Sequence, residues 1–130
     1  MKPNHVFVLT ISIIISLIAF ISLTEGKIVK IENKLDKGTR AMVAALNYMD
    51  EGNYEWGEPD NGLIDDGESY SHHSFELTIP DDVKTFNLVF GVVHSLEIDK
   101  WRGSFDNTQD ICWHFHGHLN SWKVYPCGSQ

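Results

Sequence analysis

Three histidines at spacing two, His114, His116 and His118, lie between the chain's only two cysteines, Cys112 and Cys127. Residues two apart on a strand project to the same side, and neutral imidazoles so placed can chelate zinc or copper. A metal site at His114 and His116 needs further ligands, for which His72, His94 or a loop carboxylate are available; a polar outer face built with histidine is the simpler reading. A metal-dependent hydrolase would also need an open coordination position and a general base, roles open to Glu68 or Glu76. The cysteines have two uses, as a disulfide or as metal ligands, and the disulfide is the expected one. No serine stands in a G-x-S-x-G setting, and no glycine-rich loop is built to cradle phosphate. The chain is therefore read as non-enzymatic and without a cofactor.

The element that must position these groups is a β-hairpin over Asp110–Cys127. With Leu119-Asn120 as a two-residue turn, 112 faces 127, 114 faces 125 and 116 faces 123. Ile111, Trp113 and Phe115 then share an apolar face with Trp122 and Val124, while Cys112, His114, His116, Lys123, Tyr125 and Cys127 occupy the other, solvent-facing side. A one-residue slip would mix the two sets, so burial selects the register. The same register brings the two sulfurs within reach of a cross-strand disulfide. Its loop of about 16 residues contributes roughly 3 kcal/mol in the chain-entropy account. Leu-Asn lacks the usual turn signature, so a longer bend through Gly117 is the alternative. Trp101, Trp113 and Trp122 could stack on a sugar, but two of them fall on the core face, where packing is their expected use.

At the other end, Lys2 and His5 precede an almost unbroken apolar run from Val6 to Leu23, followed by Thr24, Glu25 and Gly26. This is the pattern of a secretory signal peptide over 1–26. A membrane anchor is the alternative, since the run approaches a minimal span, but no cluster of lysines or arginines follows to hold one. The rest, 27–130, is the size of one domain. Removing Lys2 and Glu25 from totals of 10 basic and 18 acidic residues leaves 9 and 17, so the net charge stays at −8. Such a chain is unsuited to nucleic acid or an anionic membrane surface, and is expected to meet a membrane only through a receptor. Export and paired cysteines agree on an oxidising, extracellular destination.

Between the termini the chain reads as short strands. Lys27–Asn33 alternates, with Val29 and Ile31 on one side. Arg40–Tyr48 is rich in alanine, which favours helix, but it is short and sits among strands, so strand is expected. Asp50–Glu68 reads as one long loop with eight carboxylates and no lysine or arginine. Its spacing does not fit an EF-hand. Tyr54 and Trp56 in it either fold back over the core edge or form a contact patch, with Asp60, Asp65 and Asp66 as further candidates for binding a partner. Glu68–Pro80 is read as one strand. Thr85–Ser95 is apolar enough to be central, and Gly91 within it marks a bulge or a close approach. A short strand around Trp101–Phe105 precedes the hairpin. Short strands at regular spacing imply an all-β fold, a small antiparallel β-sandwich of two sheets.

The ordered motifs resemble the plant self-incompatibility S1 family, the S-protein homologues. They are V-x-I-x-N-x-L at Val29, Ile31, Asn33 and Leu35; Gly67, Ser69 and Tyr70 at a strand entry; the T-x-L-x-F type strand at Phe86 to Phe90; Phe105-Asp106; Asp110 with Cys112; and Trp122, Lys123, Val124 and Gly128 at the close. The family's other usual cysteine positions hold Ala45 or Leu46, Gly91 and Asn120, so Cys127 would replace the usual partner of Cys112. The resemblance implies an all-β sandwich and a secreted ligand that acts through inter-strand loops on an extracellular protein or cell-surface receptor. A metal- or carbohydrate-binding module on the His114/His116 face is the alternative function.

Overall fold

The computed structural model describes residues 26–50, 52 and 54–129. Apart from Gly26, the expected signal peptide lies outside the described residues. Eight strands follow one another: β1 (Gly26–Leu35), β2 (Arg40–Leu46), β3 (Leu63–Tyr70), β4 (Ser74–Pro80), β5 (Thr85–Val92), β6 (Lys100–Asp106), β7 (Ile111–His118) and β8 (Ser121–Pro126). They form two four-stranded sheets, ordered β4-β1-β7-β8 and β3-β2-β5-β6. The all-β sandwich expected from strand spacing is the observed fold. One pair departs from an antiparallel arrangement: β1 and β7 run parallel, Val29 opposite Ile111 through Leu35 opposite Gly117. Parallel neighbours need a long crossover, and here the chain from β2 to β6, which includes the whole second sheet and β4, supplies it.

Alternation places the core. Val29, Ile31 and Leu35 of β1 and Leu77 and Ile79 of β4 meet Ala41, Val43, Ala45, Phe86, Leu88 and Phe90 from the opposite sheet. The hairpin adds Trp113, Phe115, Trp122 and Val124, in the expected register: His114 faces Tyr125, His116 faces Lys123, and His118 faces Ser121 across a two-residue turn. Phe90 lies 5.6 Å from both Trp113 and Phe115, the spacing at which aromatic pairs attract. Asn33 is the polar exception in this core, 1 % exposed. Its amide donates to the Ser69 and Thr39 carbonyls and its Oδ1 accepts from Leu35 N–H, so it ties β1 to the opposite sheet.

Two expected segment boundaries are corrected. The acidic loop ends early, because Leu63–Tyr70 is strand β3, paired with β2. The single strand expected over Glu68–Pro80 is two, reversed at Ser71–His73 with His72 at φ 66°. Histidine enters this left-handed region more readily than most residues, and no glycine, proline or asparagine marks the turn.

β2 does not alternate cleanly, because the β3-β2-β5-β6 sheet is covered on both faces. Its outer side buries Ala44, Leu46, Val89 and Trp101 beneath the β2–β3 loop, which contributes Tyr54 and, less fully, Tyr48 and Trp56. That second small core is what makes Arg40–Leu46 resemble a helix in composition.

Candidate functional site

The histidine face is arranged differently from the expectation of solvent-facing imidazoles. His116 and His118 are exposed, and His118 pairs with Asp36. His114 is buried, 3 % exposed. The Cys112–Cys127 disulfide, with Cα atoms 5.3 Å apart, folds the C-terminal residues back over the sheet. His114 Nε2 thereby donates to the Ser129 carbonyl at 2.8 Å, and its ring packs 5.7 Å from that of Tyr125. His114 and His116 are neighbours, with ring centres 6.5 Å apart, but among the described residues they gather no third ligand. Among the described residues the one set with ligand spacing is Glu32, Cys112 and Cys127, and its two sulfurs are joined to each other. Such a bridge belongs to an oxidising environment.

The candidate contact residues on the acidic segment separate into two groups. Asp60 closes its own loop, accepting from Tyr48 Oη at 2.5 Å and from Gly62 N–H. This bond pushes the Tyr48 phenol up to about 12. Asp65 accepts from Thr78 N–H on β4 at 2.8 Å and so stitches the two sheets. Tyr54 is 7 % exposed and turned into the second core. Burial raises its phenol first, and the carboxylates of Asp66 and Asp60 raise it further. Of the two places expected for it, Tyr54 takes the one folded back over the core edge.

Trp56 and Asp66 remain together at the surface. The Trp56 ring meets the Tyr54 ring edge-on at 4.8 Å, and its Nε1–H donates to Asp99 Oδ2 at 2.9 Å. The indole lies across Gly91, where a Cβ would come within 2.9 Å of Cζ2 and 2.8 Å of the Asp99 carboxylate. Glycine is required there, and this is the close approach its place in an apolar strand signals. Burial raises the Asp99 carboxyl, partly offset by the indole hydrogen bond. An open groove of about 430 Å³ runs beside Trp56, lined by Met42, Gly57, Asp66, Gly67 and Glu68. Asp66 makes no ion pair among the described residues, whereas Glu68 is met by Arg40 at 3.4 Å. The same Arg40 lies 5.6 Å over the exposed Tyr70 ring. An aromatic wall with carboxylates at its rim suits a cationic guest. Asp99 and Met42 joined this site unannounced, because each reaches it from a distant strand or loop.

No family model and no curated protein sequence matches the chain. Among solved structures it is similar to a Gram-negative toxin, at 10 % identity and a TM-score of 0.49 over 82 % of this chain and 24 % of that one. It is also similar to the type VI secretion lipoprotein TssJ1 of Pseudomonas aeruginosa, at 8 % identity and 0.47 over 82 % and 99 %. A third is listeriolysin O, at 15 % identity and 0.41 over 81 % and 23 %. The chain thus spans about a quarter of the first and of the third of these chains.

Proposed function

We propose that this protein is an exported, non-enzymatic recognition module that holds a basic extracellular or cell-surface protein on the loop-covered face of the β3-β2-β5-β6 sheet. The observation that carries this reading is Trp56, wedged over Gly91 and tied to Asp99, with Asp66, which makes no ion pair among the described residues, at the groove rim. A net charge of −8 adds long-range attraction toward a cationic partner. The disulfide and the two-sheet sandwich are in keeping with the S1-like ligand that the ordered motifs imply. Recognition through inter-strand segments on a rigid scaffold is the usual division of labour.

A hexa-arginine peptide tests the groove by surface plasmon resonance against wild type, Asp66→Asn and Trp56→Ala. Binding should weaken several-fold in each variant, and the wild-type association rate should fall steeply between about 0.05 and 0.3 M salt. Association unaffected by salt and by both substitutions rejects the reading.

A further inference from the structure

The β5–β6 connection inverts the usual surface pattern. In Leu96-Glu97-Ile98-Asp99 the aliphatic side chains point outward, Leu96 87 % and Ile98 76 % exposed. The two acids turn back into the protein. Glu97 pairs with Lys100 Nζ at 3.0 Å and accepts from Trp122 N–H, while Asp99 accepts from Trp56 Nε1. In water alone the charges would be expected outside and the aliphatics inside. The neighbouring β7–β8 turn adds Leu119, 38 % exposed. Leu96 N–H donates to Asn120 Oδ1 at 2.8 Å, which joins the two connections into one tip.

We propose that this tip docks on a phospholipid bilayer, with Leu96 and Ile98 entering the boundary between headgroups and acyl chains. The surface is separate from the cation groove and stands without it. A standard protein interface buries about 800 Å² on each partner around a packed core; a few aliphatic side chains on loop ends supply no such core. Fluid acyl chains require no matching shape, and burial of aliphatic side chains among them is favourable. Behind the aliphatics, Lys100 lies 4.6 Å over the Trp122 ring and pairs with Glu97, and the exposed Lys123 follows Trp122 on β8 and projects from the other side of that strand. Asp81, Asp82 and Asp110 lie in the connections at the opposite end of the sandwich. Strands of 7 to 10 residues put that end roughly 20 Å or more away, beyond the screening length of about 8 Å at physiological salt. The acids at the tip's own end are engaged, Glu97 with Lys100, Asp99 with Trp56 and Asp36 with His118, so the distant carboxylates do not set the charge that the tip presents to lipid.

The test is sedimentation with phosphatidylcholine vesicles, with and without about a quarter phosphatidylserine, of full-length wild type and Leu96→Ser/Ile98→Ser. Both proteins carry the same N-terminal segment, so any contribution of that segment is common to the two. The double variant should partition roughly tenfold or more weakly, with an unchanged urea midpoint because both side chains are exposed. Lys123→Gln should weaken binding several-fold on the phosphatidylserine vesicles alone. Equal partitioning of wild type and double variant, or no sedimentation of either, overturns the proposal. Loss of a lipid-free protein complex in the double variant, without any vesicle binding by wild type, assigns the tip to a protein partner instead and equally overturns it.

Discussion

The C-terminal hairpin and the loop-covered face of the β3-β2-β5-β6 sheet both bury aromatic side chains, by opposite means. In the hairpin, Phe115 and Trp122 come from strands joined by a two-residue turn, with ring centres 5.5 Å apart. One disulfide closes the same unit, its cysteines 15 residues apart in sequence. On the other face Trp56 reaches Asp99, 43 residues along the chain, to pin a loop onto a sheet it does not extend. The hairpin is therefore committed to the core. The loop forms a separate, partly exposed layer, the kind of element that opens locally at less free energy than the whole domain. The proposed contact surface lies on that layer, where Trp56 and Asp66 are held without being fully used up in packing.

Three substitutions would break or sharpen this contrast. Phe115→Ala should have the largest effect, lowering the unfolding free energy by about 3–5 kcal/mol in urea titrations. A loss under about 1 kcal/mol would mean that the hairpin does not anchor the core as its burial indicates. Gly91→Ala comes next. The new methyl would collide with Trp56 and Asp99, at a cost of about 1–3 kcal/mol. Hydrogen exchange should quicken in the β2–β3 loop while the β7 and β8 amides stay protected. Equal quickening in both regions would erase the distinction between layer and core. The smallest effect belongs to the Tyr48–Asp60 pair, worth at most about 1 kcal/mol near solvent. Its phenol is raised from the ordinary 10.0 to about 12. The stability it supplies is thus complete below pH 10.0 and is lost as pH rises toward about 12. Asp60→Asn should return one tyrosine to an ordinary ultraviolet titration and remove that alkaline slope.

Short-range patterns carried much of the fold. Alternation over Lys27–Asn33, with Val29 and Ile31 on one side, placed most of β1, and the apolar run of β5 marked a central strand, as the sheet order has it. The β3–β4 reversal was not legible, because His72 turns the chain at φ 66° with none of the residues that usually announce a turn. The start of β3 was hidden among carboxylates: Asp65 and Asp66 read as solvated loop, yet one accepts a backbone hydrogen bond from β4 and the other lines the groove. For the candidate site, Trp56 and Asp66 could be named in advance, but the indole's seat over Gly91 could not.

From the sequence alone came the hairpin register, the inward tryptophans and the pairing of the two cysteines, each decided by neighbours within one turn and two strands. The tertiary structure alone decided that His114 is covered by the C-terminal residues, that β1 lies parallel to β7, and that Leu96 and Ile98 face outward while Glu97 and Asp99 are engaged behind them. The physical reason is range. Alternation is a property of one strand, whereas burial of an imidazole or exposure of a leucine depends on what a distant segment brings against it.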